Sequence, residues 1–169
     1  MLKHQWLDQD GDGYGDNATG PQPDACPGEP GTSTVDRYGC VDSDGDGISD
    51  ENDAFPDDAT RSSDIDGDGY DDLEDACMLV NGTSSVDRLG CKDSDGDGYS
   101  DGDGTWSSVD GADAFPDEAT QHADQDSDGF GDNAAGFQAD DCPTTPGTSF
   151  RDVFGLSLIH ISEPTRRRL

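Results

Sequence analysis

A nine-residue pattern of aspartates occurs five times in this chain and limits the possible folds more than any other feature. The pattern is Asp-x-Asp-x-Asp-Gly-x-x-Asp, and its copies, numbered here loops 1 to 5, begin at Asp8, Asp42, Asp64, Asp93 and Asp124. The sixth position is glycine and the ninth is aspartate in every copy. A register that is kept through five copies predicts a repeated structural unit rather than random acidic sequence.

The composition excludes a conventional hydrophobic core. The 169 residues include 40 acidic and 9 basic residues, which gives a formal net charge of −31, and only 29% are hydrophobic. This charge excludes nucleic-acid binding, because the phosphate backbone would be repelled. Aspartate is a poor helix former, so long helices are not expected. Composition alone would predict a disordered acidic segment, but the regular spacing of the aspartates argues against disorder.

A longer period groups the loops into pairs. Loops 1 and 3 lead to a cysteine, then to Gly-Thr-Ser and Val-Asp-Arg, and end in Gly-Cys, whereas loops 2 and 4 lead to Asp-Ala-Phe-Pro. In the second pair an insertion from Gly102 to Ala112, which carries Trp106, precedes that motif. The predicted division is a truncated repeat start at 1–7, a first repeat pair at 8–63, a second at 64–123, a truncated third repeat at 124–155 and a tail at 156–169.

Carboxylates at alternate positions of a tight turn point toward one place. Two such charges about 4 Å apart repel each other by roughly 4 kcal/mol at an effective dielectric constant of about 20, so the arrangement requires a cation. Ca²⁺ accepts about 6 to 8 oxygens in a tolerant geometry, whereas Mg²⁺ requires a tighter octahedron, so we expect about five or more calcium ions. The predicted ligands at the first, third and fifth positions are Asp8, Asp10, Asp12, Asp42, Asp44, Asp46, Asp64, Asp66, Asp68, Asp93, Asp95, Asp97, Asp124, Asp126 and Asp128.

Calcium loops of this pattern use three further positions. The seventh provides a backbone carbonyl, and the residues there are Tyr14, Ile48, Tyr70, Tyr99 and Phe130. The ninth provides a carboxylate, often through water, and the residues there are Asp16, Asp50, Asp72, Asp101 and Asp132. The twelfth provides a bidentate carboxylate, which is Asp53 in loop 2 and Asp75 in loop 3. Insertions displace this position in the other loops, where alignment on the motif that follows predicts Asp24, Asp113 and Asp140.

The side chains at the seventh position are apolar or aromatic in all five loops, although the chain has few such residues. We expect them to turn inward against Phe55, Phe115 or a pair of cysteines while their carbonyls face the ion. The alternative is that they are incidental hydrophobic residues of a disordered chain.

The sequences beside the loops distinguish between calcium-binding families. EF-hands and dockerins place helices there, but these flanks carry no apolar residues at i, i+3, i+4 spacing, and the bidentate glutamate of an EF-hand is absent. The chain instead resembles the thrombospondin type 3 repeat over about Asp8 to Asp152, because its loops follow one another without helices and alternate with cysteines. The resemblance implies an irregular fold with little regular secondary structure, in which tandem loops wrap calcium ions and disulfides join neighbouring segments.

Four of the five cysteines form two pairs with the same separation. Cys26 and Cys40 stand as far apart as Cys77 and Cys91, so each pair is predicted to close one small disulfide loop. Pairing between modules stays open, because sequence alone does not fix connectivity. Disulfides imply an oxidising compartment, and an extracellular location is expected. A zinc site is disfavoured, because no histidine or Cys-x-x-Cys motif accompanies these cysteines.

The fifth cysteine, Cys142, lacks the partner that the repeat predicts. By the same spacing a cysteine is expected at position 156, where the chain has Leu156. From Leu156 to Arg166 the sequence resembles one reading frame of a common transposon-based sequencing-library adapter. Residues 156–169 are therefore interpreted as an artefactual tail and left out of the fold prediction.

No feature of the sequence indicates an enzyme. The histidines, His4, His122 and His160, have no nucleophile motif beside them, and among so many aspartates a catalytic pair would lack specificity. We expect a non-enzymatic, calcium-stiffened spacer or stalk in a secreted or cell-surface protein. The expected partners are calcium ions, the flanking domains of the same polypeptide and cell-surface or matrix proteins. Membrane insertion is not expected, because the apolar run in the tail is too short to span a bilayer.

Two other functions fit the sequence. A calcium-dependent adhesion or ligand-binding module would use the insertion that carries Trp106 as its contact surface. A disordered acidic segment would sequester cations with no defined stoichiometry. Two segments, Asn17-Ala18-Thr19 and Asn81-Gly82-Thr83, match the N-glycosylation sequon, although each is also typical of a turn.

Overall fold

The computed structural model describes residues 7–151 and 153–156. Nearly all of the predicted repeat start at 1–7 and of the predicted tail at 156–169 lies outside these residues. The described residues contain no helix and two short strands, β1 (Phe150–Arg151) and β2 (Val153–Phe154), which pair antiparallel with Phe150 opposite Phe154. The prediction of an irregular fold with little regular secondary structure is confirmed.

Turns replace regular secondary structure in the loops, and glycines make these turns possible. In loop 2 the fourth and sixth residues, Gly45 and Gly47, have φ angles of 84° and 99°. Residues with a Cβ rarely adopt this left-handed backbone, and the same two positions are left-handed in all five loops. The alternation of aspartate and glycine therefore folds each loop back on itself within a few residues.

The interior is polar. The largest fully buried side chains in the described part of the chain belong to one glutamine and four serines, Gln121, Ser33, Ser49, Ser84 and Ser100, whereas the buried apolar residues there are Cys40, Cys91 and Ala112. Large apolar side chains stay outside, and Leu73 and Val109 are each 91% exposed. Burial of apolar surface therefore contributes little to the stability of this fold, as its composition implies.

Two disulfides close loops of equal length, as the cysteine spacing predicts. The first disulfide loop runs from Cys26 to Cys40 and the second from Cys77 to Cys91. Each surrounds a buried serine: the Ser33 hydroxyl accepts the Cys40 amide at 2.9 Å and donates to the Arg37 carbonyl, and the second loop repeats this arrangement.

The glycine of each Gly-Thr-Ser motif lies against the end of its own disulfide loop. A Cβ on Gly31 would lie 1.9 Å from the Cys40 carbonyl carbon, so no other residue fits there. Gly82 lies against Cys91 in the same way. The repeated motif is therefore required by this close approach of two backbone segments.

Contacts divide the chain into two compact units, Met1–Ile65 and Asp66–Leu169. The first unit contains loops 1 and 2 with the first disulfide loop. The second contains loops 4 and 5 with the second disulfide loop. The boundary falls inside loop 3, after Ile65.

Candidate metal centres

The first, third and fifth aspartates converge in every loop. In each of the five triplets, one carboxylate oxygen per residue lies within 4.8 Å of the others. Two oxygens that each lie about 2.3–2.6 Å from one ion are at most about 5 Å apart, so the spacing matches a shared cation. Clusters of exposed acidic groups are common in proteins without a bound ion, so the hydrogen bonds and burial of the surrounding atoms decide whether a triplet is a metal site.

Backbone amides of the loops donate hydrogen bonds to their first- and fifth-position carboxylates. In loop 2 the Asp42 carboxylate accepts the Gly45 amide at 2.8 Å and the Gly47 amide at 3.1 Å. The Asp46 carboxylate accepts the Ile48 amide at 2.7 Å, and the matching bond is present in the other four loops. The loops are therefore organised by their own carboxylates, with the negative charges held close together.

A further aspartate comes next to the triplet in each loop. In loop 2 this residue is Asp53, whose amide donates to the Ser49 carbonyl at 3.0 Å and whose Oδ1 accepts the Phe55 amide at 2.7 Å. The same bond, from an amide two residues ahead to Oδ1, fixes the corresponding aspartate in every loop: Asp24, Asp53, Asp75, Asp113 and Asp140. One carboxylate oxygen of each of these five aspartates therefore accepts a hydrogen bond from a backbone amide.

Three of these aspartates follow insertions, and the backbone returns to the loop in each case. The Asp24 amide donates to the Gly15 carbonyl at 3.0 Å, and the Asp140 amide donates to the Gly131 carbonyl at 2.8 Å. The Asp113 amide donates to the Ser100 carbonyl at 2.9 Å. The insertions therefore loop out and bring the aspartate back to the place that Asp53 occupies without an insertion.

In the three aspartates that follow insertions, the remaining carboxylate oxygen is buried and has no hydrogen-bond partner. This holds for Oδ2 of Asp24, Asp113 and Asp140, and the third-position carboxylates have partnerless buried oxygens in loops 1, 2, 4 and 5, on Asp10, Asp44, Asp95 and Asp126. A buried carboxylate oxygen without a partner carries a large desolvation cost. We call Asp24, Asp53, Asp75, Asp113 and Asp140 the returning aspartates. The partnerless oxygens belong both to the triplets and to the returning aspartates, so the donor set fits a bound cation.

The electrostatics of the returning aspartates reflect the same crowding. Burial raises the pKa of Asp24, and the nearby charges of Asp12, Asp10 and Asp16 raise it further. The pKa of Asp113 is raised to about 6 by burial and by the charges of the loop 4 carboxylates. Asp53 and Asp140 have raised pKa values for the same reasons. Without a cation, therefore, these four sites hold more negative charge than their surroundings stabilise.

The ninth-position aspartates have different environments. Asp50 accepts two hydrogen bonds from Ser43, both at 2.7 Å. Asp101 accepts the equivalent bonds from Ser94 and also binds Lys92. Burial raises the pKa of Asp101, but the hydrogen bonds from Lys92 and Ser94 outweigh it and the pKa is lowered. Loop 4 is thus the one described loop that holds a lysine against a ninth-position carboxylate.

The side chains at the seventh position are half-buried in all five loops, and three of them lie against aromatic rings that the sequence did not identify as partners. The ring nearest to Tyr14 is that of Tyr38, with centroids 5.8 Å apart, and Phe130 packs on Phe154 at 5.5 Å. Tyr99 stacks on His122 at 3.8 Å, with the rings nearly parallel. Packing against Phe55, Phe115 or a pair of cysteines stays a prediction, and the three ring partners that the structure shows come from later segments of the chain.

Two aspartates outside the loops bind residues inside them, and the sequence pattern did not predict this role. Asp36 accepts the Ser49 amide at 2.9 Å, the Ser49 hydroxyl at 2.7 Å and the Asn52 side chain at 2.6 Å. Asp87 accepts the Ser100 amide and hydroxyl at 2.9 and 2.7 Å. The signal that could have identified them is the repeated Val-Asp-Arg motif together with a serine that occurs at the eighth position of loops 2 and 4 alone.

Gln121 was also missed. Its side chain is 1% exposed; the amide nitrogen donates to the carbonyls of Asn133 and Phe137, each at 3.1 Å, and the amide oxygen accepts the Asn133 backbone amide at 2.9 Å. A Cβ on Gly131 or Gly136 would collide with Gln121. Gln121 therefore acts as the internal support of the insertion that leads to Asp140.

Comparisons with known proteins add no assignment. No protein-family model matches the chain, and no curated protein matches it. Within the described residues, no helix has the length and apolar character needed to cross a membrane. The two disulfides are typical of an oxidising compartment.

Proposed function

We propose that this chain binds calcium in its five loops and that the bound ions hold the fold together. The observation that carries the proposal is the set of buried, partnerless carboxylate oxygens on Asp24, Asp113 and Asp140, which face triplets of further carboxylates. A protein interior rarely leaves such atoms without a partner. A divalent cation would satisfy all of them at once.

The chemistry of the donor set favours calcium. Each triplet consists of aspartates, and hard oxygen donors suit Ca²⁺, Mg²⁺ and Mn²⁺ better than the softer transition metals. With the triplet, the seventh-position carbonyl, the ninth-position carboxylate and the returning aspartate, a loop offers at least six oxygens from the protein itself. Ca²⁺ accepts such a set, whereas Mg²⁺ usually keeps several of its waters. The ion would neutralise the clustered charge and fix the loop ends.

We infer that the role is structural and not enzymatic. The chain would serve as a calcium-stiffened spacer or stalk in a secreted or cell-surface protein, where it would set the separation of flanking domains. Support comes from the polar interior, the two disulfides and the resemblance of the loops to thrombospondin type 3 repeats. Extracellular calcium modules bind with dissociation constants of about 10⁻⁴–10⁻³ M, so such a spacer would stay loaded outside the cell.

Adhesion through the insertion that carries Trp106 is the second candidate function. The packing of Trp106 favours the spacer over adhesion. The Trp106 ring turns back on its own unit: a Cβ on Gly111 would lie 3.3 Å from it, and the Arg88 guanidinium lies 5.6 Å from its centroid. Arg88 also forms an ion pair with Asp103 at the start of the insertion. A tryptophan that packs on the insertion itself offers less surface to a partner. Replacing residues 102–112 with the two residues, Glu-Asn, that loop 2 has at this place would abolish adhesion and would leave a spacer largely unchanged.

Circular dichroism and the hydrodynamic radius, measured with calcium and then with chelator, test the proposal. We expect a compact chain with calcium and, because the carboxylates then repel each other, an expanded chain after chelation. Magnesium at the same concentration is the matched control and should compact the chain less. An unchanged radius on chelation would contradict the proposal. A radius that falls gradually, without saturation, would instead indicate a disordered, cation-sequestering segment.

A further inference from the structure

The disulfide loops contact metal centres on both sides, and this arrangement goes beyond calcium binding by single loops. On the side of loop 1, the Asp12 carboxylate accepts the Gly31 amide of the first disulfide loop at 3.2 Å. A Cβ on Gly39 would collide with the carboxylates of both Asp12 and Asp24. Two of the predicted ligands of loop 1 thus lie directly against the disulfide loop.

On the other side the same disulfide loop binds loop 2. The amides of Thr34 and Val35 both donate to the Gly47 carbonyl at 2.8 Å. The next residue, Asp36, accepts three hydrogen bonds, two of them from Ser49. These contacts hold the sixth and eighth residues of loop 2, on either side of the seventh-position carbonyl.

Ser49 passes this constraint on to a predicted ligand. It is 1% exposed, and its carbonyl accepts the amide of Asp53 at 3.0 Å. The position of Asp53 therefore depends on Ser49, whose amide and hydroxyl are both held by Asp36. A continuous path of contacts leads from Asp12 through the first disulfide loop to Asp53.

The second unit repeats the path. The Asp68 carboxylate accepts the Gly82 amide at 3.1 Å. The Asp87 carboxylate accepts both the amide and the hydroxyl of Ser100. The Ser100 carbonyl accepts the Asp113 amide at 2.9 Å. The path is thus kept even though the insertion separates loop 4 from its returning aspartate.

We propose that calcium binding is coupled within each pair of loops, and that Asp36 and Asp87 are the positioning residues that transmit the coupling. The proposal rests on calcium binding by the loops. An ion in loop 1 would fix Asp12 and Asp24, and through them the disulfide loop that holds Ser49 and Asp53. Because coupling between two sites is reciprocal, an ion in loop 2 would increase the affinity of loop 1 by the same factor.

Backbone amide NMR resolves the loops individually. The sixth-position glycine amides of loops 1, 2, 4 and 5 donate to the first-position carboxylates, so each reports on its own site: Gly13, Gly47, Gly98 and Gly129. In the disulfide-bonded chain, Asp36→Asn should raise the calcium midpoint of Gly47 about fivefold or more, the lower end of typical coupling strengths, and leave Gly98 and Gly129 unchanged. Asn52→Ala, which removes one bond to Asp36 but keeps those from Ser49, is the matched control and should have little effect.

Two further comparisons separate coupling from a loss of local stability. Ser49→Ala alone should raise the calcium midpoint of Gly47. In the Ser49→Ala background, Asp36→Asn should raise this midpoint further by a smaller factor than in the wild-type chain, because the two substitutions remove the same contact. Asp8→Ala removes a loop 1 ligand whose hydrogen bonds within the described residues are to loop 1 amides, and it should raise the Gly47 midpoint about fivefold. Asp42→Ala should raise the Gly13 midpoint by the same factor.

The outcomes distinguish this inference from the proposed function. If no glycine of the wild-type chain shows a saturable shift, calcium binding itself is refuted. If the wild type titrates but Asp36→Asn and Asp8→Ala leave the Gly47 midpoint within twofold, the coupling is refuted while calcium binding stands. Equal shifts at all four glycines in Asp36→Asn would mean that Asp36 stabilises the whole fold, and would also overturn the inference.

Discussion

The backbone amide of Asp113 donates to the carbonyl of Ser100 at 2.9 Å, across an insertion that separates the two residues in sequence. In loop 2 the corresponding bond, from Asp53 to Ser49, spans no insertion and has nearly the same length, 3.0 Å. The insertion therefore leaves the backbone attachment of this aspartate to its loop unchanged. This bond makes Asp113 part of loop 4, with consequences for stoichiometry and for pH dependence.

Replacing Asp113 with asparagine should remove one calcium ion from the stoichiometry or weaken that site roughly tenfold or more, because the number of charged ligands sets calcium affinity. Asp117→Asn is the matched control, since Asp117 is exposed and follows the same Phe-Pro motif. The Gly98 amide should report the loss. Equal affinities of the two variants for calcium would show that Asp113 does not bind the ion.

The raised pKa of Asp113 predicts opposite pH dependences for the metal-free and calcium-bound protein. Its pKa of about 6 exceeds the ordinary value of 3.8, so between these values the folded, metal-free state holds more protons than the unfolded state. The free energy of unfolding should therefore fall as pH rises from 4 to 6. Calcium needs the ionised carboxylate, so its affinity should increase over the same interval.

Urea denaturation at several pH values, with metal-depleted and calcium-loaded protein, measures both trends. Asp36 and Asp87 interfere little: burial raises their pKa values, but hydrogen bonds outweigh it and lower them, so their contribution is lost mainly below the ordinary value of 3.8. A metal-free protein that becomes steadily more stable from pH 4 to 6 would contradict the assignment. In the metal-free protein, Asp113→Asn should reduce the fall in the free energy of unfolding between pH 4 and 6.

Loop 5 should be less stable than the others because of one residue. Its fourth position is Ser127, with φ of 62°, where the other four loops have glycine. A left-handed backbone costs a residue with a Cβ about 1–2 kcal/mol, so Ser127→Gly should stabilise loop 5 by about 1 kcal/mol. Gly45→Ser, in loop 2, should destabilise by a similar amount. Hydrogen exchange of the Gly129 and Gly47 amides measures each effect locally, and protection unchanged in both variants would refute the argument.

Position 156 should accept a cysteine that pairs with Cys142. The Thr148 amide donates to the Leu156 carbonyl, as the Thr32 amide donates to the Cys40 carbonyl in the first disulfide loop. Leu156→Cys should therefore form a third disulfide, stabilising the chain by about 3 kcal/mol for a loop of this length. Thiol titration before and after oxidation counts the bridges, and Leu156→Ser is the control. Two persistent free thiols would show that the third module has a different backbone.

Much of this fold could be predicted because its determinants are local. The irregular architecture follows from a chain rich in aspartate and glycine with few apolar residues, and the disulfides Cys26–Cys40 and Cys77–Cys91 follow from equal spacing. The return of Asp24, Asp113 and Asp140 to their loops was predicted from the motif that follows each insertion.

Contacts between segments could not be predicted in the same way. The bonds from the Ser49 amide to Asp36 and from the Asn133 amide to Gln121 join different segments of the chain, and both use polar side chains that composition would place on the surface. In a hydrophobic core, periodicity would reveal the buried positions. Here the buried residues are serines, aspartates and one glutamine, for which no periodic signal exists.

Calorimetric titration of calcium into the oxidised, metal-depleted chain tests the central claim most directly. The claim predicts saturable uptake of about five ions per chain, one for each carboxylate triplet, with dissociation constants of about 10⁻⁴–10⁻³ M. A matching decrease in hydrodynamic radius should accompany the uptake. Absence of saturable binding would contradict both the ion sites and the proposed structural role.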